Sequence, residues 1–287
     1  MKEKSPLTLW LLPQITLTLF LGWGLLAGLG QSFGYLPALG LTKWTTHYYE
    51  TLFKRPDFLQ SLGFSLHIAA FSSILALLLG VGLVYLLLHV FKRADRALSL
   101  LQLPIIVPHL IVALLTLLIF SQSGLLVRLL SQLGISDAKA WVKPLTMDPH
   151  GNGIILSYLW KEIPFITFFA YEPLKAIDER YGEAARTLGA STWRSFLTVT
   201  LPLCRQTLAT AFLIIFMFAL GAYELPSLLG PTLPKSLPER AYIDYIHPDL
   251  THRPYAMAVN GTILLLGVLA LALYLLVSIR RQRRRFS

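Results

Sequence analysis

The sequence predicts an all-α, polytopic membrane protein with six membrane-spanning helices. Three observations support this fold class. Of the 287 residues, 55% are hydrophobic. Only 14% are charged, whereas about a quarter of the residues in a typical soluble domain carry a charge. The apolar residues also form several long stretches, and a helix needs roughly 20 such residues to cross a bilayer.

Four of the helices follow from stretches that contain no Asp, Glu, Lys or Arg, and helix 5 follows from a stretch after Arg205 whose one charged residue is Glu224. Helices 1, 2, 3, 5 and 6 are predicted at about 7–29, 62–88, 100–120, 206–229 and 256–279. Helix 4, at about 153–171, is apolar except for Lys161 and Glu162 near its middle. Because charged groups are costly in lipid, we expect these two side chains to face the bundle interior or water.

The distribution of basic residues predicts the orientation in the membrane. An even number of spans places both termini on one side. If that side is the inside, the inner segments carry 15 Lys and Arg residues and the outer loops carry 9. The positive-inside rule therefore predicts cytoplasmic termini in a multi-pass protein of the plasma membrane, which is the inner membrane in a Gram-negative cell. The first apolar stretch is too long for a signal-peptide core and is interpreted as a retained helix.

Five arginines lie within a basic tail, 280–287, that directly follows an apolar run. This placement indicates an anchor facing anionic membrane lipid, and not a surface for nucleic acid. The single cysteine, Cys204, forms no internal disulfide. The sequence also lacks a Cys/His metal spacing, a glycine-rich phosphate loop and a nucleophile elbow. We therefore expect no catalytic residue, no metal and no cofactor in this chain.

The segment 172–205, between helices 4 and 5, is long for a cytoplasmic connector. Helix-forming residues begin at Glu183, and Gly189 is a typical helix stop. A Ser-Thr pair after the glycine can cap another helix, and Pro202 marks a break before helix 5. The segment therefore predicts a short helix, a turn at Gly189 and a second short helix.

The spacing within this segment resembles the EAA loop of permease subunits in binding-protein-dependent ABC importers of the type I architecture. The family pattern is Glu-Ala-Ala, three residues, Gly, nine residues, a β-branched apolar residue, one residue and Leu-Pro. The matching residues here are Glu183, Ala184, Ala185, Gly189, Val199, Leu201 and Pro202, with valine where isoleucine is commoner. The resemblance implies a permease domain over 58–279, with its core in helices 2–6. Residues 1–57 then contribute helix 1 and an outer loop.

The resemblance also implies a set of partners. The first short helix, the coupling helix, would bind in a groove of an ATPase subunit. Two such subunits would bind ATP-Mg and hydrolyse ATP, so the permease itself is not an enzyme. A second permease subunit, for which we favour a heterodimer over a homodimer, and an extracytoplasmic solute-binding protein complete the assembly in membrane lipid. In the coupling helix, small Ala184 and Ala185 permit close approach, and Glu183 is expected at the helix start, where the dipole favours a carboxylate.

Polar groups within the bundle are the candidates for the solute pathway, namely Lys161, Glu162, Tyr223 and Glu224. Glu224 lies beside an aromatic ring late in helix 5, which suits a cation. Among importers of polyamines, ferric iron, thiamine and sulfate, this favours a polyamine-like or another small solute. The alternatives are a structural ion pair for Lys161 and Glu162, and a water-exposed carboxylate for Glu224. Pro226 is predicted to kink helix 5.

Two other functions remain open at this point. An ion-coupled secondary transporter would have no ATPase partner and would show paired broken helices with polar sites near the membrane midplane. A membrane-embedded enzyme would need convergent groups, such as His67, His109 and Glu162. Co-purification of an ATPase subunit would separate an importer from both.

Overall fold

A computed structural model describes residues 7–92, 94–135, 137–142 and 145–286. Within these ranges every regular element is helical, apart from one isolated antiparallel bridge between Leu36 and Leu41. The all-α prediction is therefore confirmed. Ser287 and the side chains of 279–286 lie outside the described residues, and with them the basic groups of the predicted tail, 280–287.

The helices are numbered in chain order. They are α1 (Leu7–Ser32), α2 (His47–Lys54), α3 (Pro56–His89), α4 (Ala94–Ile106), α5 (His109–Phe120), α6 (Leu125–Gln132), α7 (Ala138–Val142), α8 (Asn152–Ile177), α9 (Glu183–Thr187), α10 (Thr192–Ser195), α11 (Leu201–Leu203), α12 (Arg205–Gly221), α13 (Glu224–Leu229), α14 (Leu237–Tyr245) and α15 (Arg253–Phe286). Two π turns join some of them, at Asp178–Gly182 and Phe196–Thr200. The contacts divide the chain into two units, Met1–Leu59 with Arg240–Leu265, and Gln60–Glu239 with Leu266–Ser287.

Five helical stretches are long and apolar enough to cross a membrane. They are Leu11–Ser32, Pro56–His89, His109–Gln132, Asn152–Thr187 and Leu250–Ser278. A sixth span is formed by the pair Thr192–Leu203 and Arg205–Gly221, which is bent by 71°. The prediction of six spans is confirmed when this bent pair is counted as one.

Helix 3 is not continuous, contrary to the prediction of one helix over 100–120. α4 ends at Ile106 and α5 begins at His109. The break falls at Val107 and Pro108 because proline has no N–H to donate and disfavours the helical conformation of the residue before it.

Helix 5 is also broken, close to the kink that the sequence predicted at Pro226. α12 ends at Gly221 and α13 begins at Glu224, so the break lies at Ala222 and Tyr223. Pro226 lies in the first turn of α13, where a proline removes no intrahelical hydrogen bond. The break begins four residues before Pro226, at the residue whose carbonyl a proline ring would clash with in a continuous helix. The predicted kink is therefore confirmed.

α8 is the most buried span of the second unit. Of the residues that make the stretch Asn152–Thr187 a candidate span, 61% are buried, whereas the share is at most 33% in the other continuous spans. Ile154 and Tyr158 of α8 lie in an apolar cluster with residues of α3, α5, α12 and α13. A second cluster, which contains Leu174 and Phe196, packs the end of α8 and the segment after α10 against α3. The 172–205 segment therefore begins from a firmly packed helix.

In the first unit, α1, α2 and α15 approach each other closely. The Tyr49 hydroxyl donates a hydrogen bond to Ser32 Oγ at 2.9 Å. A Cβ added at Gly261 would collide with the same hydroxyl, so the glycine permits the approach. Asp57 pairs with both Arg55 and Arg240 in this unit.

Candidate functional site

The segment 172–205 folds as two helical limbs joined by a tight turn. The first limb, 178–187, comprises a π turn and α9 and continues α8. Gly189 ends it with a φ of +94°, a conformation that glycine adopts without steric cost. The Ser191 hydroxyl then accepts a hydrogen bond from the Arg194 N–H at 3.3 Å and caps α10. The predicted order of helix, turn and helix is confirmed.

Glu183 does not lie at a free helix start, contrary to the prediction. Gly182 before it has helical dihedral angles, φ −66° and ψ −42°. α8, the π turn and α9 form the single helical stretch Asn152–Thr187. The helix dipole therefore does not stabilise Glu183, because its effect is confined to the first turn. The carboxylate is exposed and available to a partner.

The second limb, Thr192–Leu203, lies between the turn and α12, to which it is bent by 71°. The break occurs at Cys204, directly after α11, the short helix that contains Pro202. Val199 and Leu201 are half-buried in this limb, whereas Pro202 is exposed. These three residues of the motif thus shape the bend rather than the turn.

The tip of the first limb presents an apolar side chain to its surroundings. Leu188 is 89% exposed and directly precedes Gly189, which is also exposed. Ala184 is exposed and Ala185 half-buried on the same short helix. Leu188 is not among the residues that the sequence motif specifies. Its position directly before a helix-ending glycine could have identified it as part of the tip.

A buried carboxylate, Asp178, joins the first limb to the second limb and to the end of α3. It is 5% exposed and accepts hydrogen bonds from Thr200 Oγ1 at 2.8 Å and from Arg186 Nη1 at 3.1 Å. Nε2 of His89, the last residue of α3, lies 3.7 Å from the carboxylate. We call these four residues the Asp178 cluster. The Asp178 cluster therefore connects the first limb to α3 and to the second limb.

Two small residues bring the limbs into direct contact. Ser195 is fully buried, and its hydroxyl donates a hydrogen bond to the Gly182 carbonyl at 2.9 Å. A Cβ added at Gly182 would collide with Asp178 Oδ1 and lie 3.1 Å from Thr200 Oγ1. Glycine is needed here for the close approach, since its dihedral angles are those of an ordinary helix.

Aromatic packing fixes the second limb to α3. The ring of Phe196, which is 1% exposed, lies 5.1 Å from the ring of Tyr85. The Trp193 ring lies 4.8 Å from the same tyrosine in an edge-on arrangement. Such pairs stabilise a contact beyond the burial of their area. The segment 172–205, which corresponds to the predicted coupling loop, is thus held by polar contacts at its first limb and by aromatic rings at its second.

Lys161 is buried within the bundle, as predicted, but it does not pair with Glu162. Its Nζ donates hydrogen bonds to the carbonyls of Ile105, at 3.4 Å, and Val107. These carbonyls lie at the break between α4 and α5, where no backbone N–H of a continuing helix can reach them. Lys161 therefore caps the end of α4, where the helix dipole also favours a cation.

Glu162 is buried as well, at 4% exposure. Neither carboxylate oxygen finds a hydrogen-bond partner within the described part of the chain. The Tyr158 hydroxyl, one turn earlier on α8, is likewise unpartnered there. The predicted alternative of a Lys161–Glu162 ion pair is not what the structure shows.

Tyr223 and Glu224 are exposed and lie at the break between α12 and α13. Glu224 belongs to the first turn of α13, where the helix dipole favours a carboxylate whatever the solute. Its position therefore fits the alternative of a water-exposed glutamate and no longer favours a cation.

His67 and His109, the two histidines that a membrane-embedded enzyme would need to bring together, pack against different apolar residues. The His67 ring stacks on Phe71, with centroids 5.7 Å apart, whereas the His109 ring packs on Phe218 at 4.6 Å. Among the residues with described side chains, no group of three or more His, Cys, Asp or Glu could hold a metal ion.

Residues 72–285 match the family described as the binding-protein-dependent transport system inner membrane component. The chain belongs to this family. It is a multi-pass membrane permease subunit of a type I ABC importer, as the 183–202 motif predicted, and ATP is hydrolysed by a separate subunit. The secondary-transporter and membrane-enzyme alternatives are set aside on this ground.

Three relatives show the range of similarity. The molybdate/tungstate transport system permease protein of Thermococcus kodakarensis is 30% identical over 156 residues, which is 54% of each chain. The molybdenum transport system permease protein of Azotobacter vinelandii is 25% identical over 218 residues, 75% of this chain and 92% of the relative. The chloroplastic sulfate permease 2 of Chlamydomonas reinhardtii is 29% identical over 221 residues, 75% of this chain and 56% of the relative. The chain thus spans about half the length of the archaeal and algal relatives.

Solved structures share the fold. A bacterial ABC transporter that imports the acidic polysaccharide alginate matches with a TM-score of 0.75 and 21% identity, over 96% of this chain and 95% of that one. The methionine ABC transporter MetNI, in inward-facing conformations, matches with a TM-score of 0.52 and 17% identity, over 79% and 94%. At such low sequence identities, these matches show that the fold is shared and do not show a shared function.

Proposed function

We propose that this permease forms half of the pathway of an importer for a small oxyanion, and that its coupling loop binds an ATPase subunit. The observation that carries the proposal is the exposed tip at Leu188 and Gly189. This tip continues the most buried span and is tied to α3 through the Asp178 cluster. Because packed helices shift between discrete arrangements rather than deform gradually, a push on the tip moves both limbs and α3 together.

The motif residues divide into two roles in this proposal. Glu183, Ala184 and Leu188 are exposed and form the surface for the ATPase groove, with Ala185 half-buried behind them. Val199, Leu201 and Pro202 instead keep the second limb at its angle to α12. ATP-Mg is bound by the ATPase subunits and not by this chain.

The names of the relatives support an oxyanion as the solute. The archaeal, bacterial and algal relatives are permeases for molybdate, tungstate and sulfate, which share a tetrahedral shape and a double negative charge. The expectation of a cationic, polyamine-like solute is corrected accordingly. It rested on Glu224, and the exposed first turn of α13 explains that carboxylate without a cation.

The remaining partners follow from how importers of this family are built. The alginate transporter was also solved in complex with an alginate-bound periplasmic protein, which supports a solute-binding protein as a partner here. A second permease subunit, in a heterodimer rather than a homodimer, completes the pathway. Both termini face the cytoplasm, on the side where the coupling loop meets the ATPase.

Solute uptake into proteoliposomes tests the proposal. The permease is reconstituted with its second permease, its ATPase and its binding protein, and molybdate, tungstate, sulfate and spermidine are offered one at a time. We expect at least one oxyanion to accumulate in the proteoliposomes only when ATP is supplied. Spermidine should not accumulate under the same conditions. Uptake of spermidine alone, or oxyanion uptake driven by an ion gradient without ATP, would contradict the proposal.

A further inference from the structure

Two apolar grooves flank the first half of α12 and meet at Arg205. One, of about 460 Å³, runs between α12 and α15 and is lined by Leu213, Phe216, Leu273 and Val277. The other, of about 720 Å³, runs between α12, α3 and the second limb and is lined by Leu78, Val81, Leu201 and Leu208. Arg205, Ala209 and Phe212 line both grooves. The grooves therefore form one forked surface with a single charged group at its junction.

The predicted helix 5, 206–229, begins directly after this junction, and we place the membrane boundary there. The second limb bends by 71° at Cys204, and Arg205 is the first residue of α12 after the bend. From Arg205 both grooves follow apolar side chains of spanning helices. The geometry matches a lipid whose headgroup stays at the boundary and whose chains extend into the hydrocarbon region.

Arg205 has no protein partner that explains its position. It is exposed, and no residue that the structure describes forms an ion pair or hydrogen bond with it. A cation in the first turn of a 17-residue helix is also opposed by the helix dipole. Residues that break a local rule without compensation within the chain often serve binding. An anionic group next to Arg205 would supply the missing compensation.

The sequence continues from the lining of the first groove into a basic segment. Ser278 lines the first groove, and Arg280, Arg281 and Arg283 follow it directly in the sequence. Basic residues next to a spanning helix attract anionic lipid. An anionic phospholipid is therefore favoured over a neutral one and over an apolar partner helix.

We infer that the forked groove binds one anionic diacyl phospholipid, with its phosphate at Arg205 and one acyl chain in each groove. Its assignment to the cytoplasmic leaflet rests on the proposed orientation. The lipid would brace the bend between the second limb and α12. It would thus couple the composition of the membrane to the position of the ATPase-binding tip.

Native mass spectrometry of the importer from nanodiscs tests this site. The nanodiscs contain phosphatidylglycerol and phosphatidylcholine in equal amounts, and retained lipid is counted per permease. We expect about one phosphatidylglycerol retained in preference to phosphatidylcholine. Arg205→Gln should weaken this retention about tenfold, which corresponds to the loss of one charge-assisted contact. Arg96→Gln, which removes an exposed arginine in the first turn of α4, is the matched control and should have no effect.

Ala209→Leu provides a second variant that keeps the charge but fills both grooves. It should reduce the retention of both lipids. Equal retention of the two lipids by the wild type, or equal effects of Arg205→Gln and Arg96→Gln, would overturn the inference. If a second permease covers the grooves instead, neither lipid is retained by the wild type, which would also overturn the inference.

Discussion

At the scale of single residues, the carboxylate of Asp178 bridges segments that are far apart in the sequence. It contacts Arg186 of the first limb, Thr200 of the second limb and His89 at the end of α3. A buried carboxylate with several donors is costly to disturb, because removal of one partner leaves another without its counterpart. The cluster therefore determines how firmly the tip is attached to the spans.

Asp178→Asn keeps the size of the side chain but removes its charge. We expect the loop to lose about 1–3 kcal/mol of stability, the range for a hydrogen bond to a charged group, reduced by the partial exposure of Arg186. The importer should still bind its ATPase but transport less solute per ATP hydrolysed. The measurement is the ratio of solute uptake to phosphate release in proteoliposomes.

Glu179→Gln is the matched control for this variant, since Glu179 is the adjacent carboxylate and is exposed. It should leave the ratio of uptake to hydrolysis unchanged. Equal ratios in wild type and Asp178→Asn would show that the cluster does not transmit the motion.

The motif residues could be predicted from their spacing, but the Asp178 cluster could not. Asp178 and Arg186 are eight residues apart, which places them near one face of a helix two turns long. This relation appears only once the helix is known to continue through Gly182. Thr200 and His89 join the cluster through tertiary packing, which no local pattern reveals.

At the scale of elements, the breaks in the spans create polar sites inside the bundle. The break at Val107 and Pro108 frees carbonyls at the end of α4, and Lys161 of α8 donates to them. The adjacent Glu162 caps no helix end, and its carboxylate has no hydrogen-bond partner among the residues described. Two neighbouring charges in one helix therefore have opposite consequences for stability.

Lys161→Met should destabilise the permease by about 1–3 kcal/mol, because the freed carbonyls lose their donor. Glu162→Gln should be neutral or stabilising, because an unpaired buried charge is costly and the amide is neutral. Thermal unfolding of both variants in the same detergent measures the difference. A larger loss for Glu162→Gln than for Lys161→Met would mean that Glu162 has an essential partner in the assembled importer.

Hydrophobic stretches were sufficient to predict six spans, since each exceeds the length that a bilayer requires. They could not predict where the spans break. Pro226 was the expected cause of a kink, and the chain breaks just before it at Ala222 and Tyr223, so that Pro226 lies in the first turn of a new helix. The break between α4 and α5 was not predicted at all. Hydropathy reports which segments enter lipid, whereas the continuity of a helix depends on individual backbone groups.

At the scale of the whole molecule, the proposed function requires an assembly. Its coupling tip is an exposed apolar group at the end of a buried span, and Leu188 is 89% exposed. An apolar side chain left in water gains about 1.5–3 kcal/mol when a partner buries it. The proposed docking of the ATPase would account for its exposure.

Leu188→Ser should weaken the binding of the ATPase subunit at least tenfold without changing the stability of the permease, because the side chain has few contacts to lose. Titration of purified ATPase onto the permease in nanodiscs measures the affinity. Leu133→Ser is the control, since Leu133 is 78% exposed at the end of α6, on the predicted opposite side of the membrane. Similar affinities for the two variants would argue against docking at Leu188.

The coupling loop as the ATPase-docking element is the central claim, and ATP hydrolysis by the reconstituted importer tests it most directly. Wild type is compared with Gly189→Asp and with Gly134→Asp. Both glycines have positive φ, +94° and +83°, and open space around them, so the two variants carry the same strain and charge. We predict that Gly189→Asp abolishes solute-stimulated hydrolysis or releases the ATPase, whereas Gly134→Asp behaves as wild type. Normal hydrolysis by Gly189→Asp, or equal losses in both variants, would contradict the account.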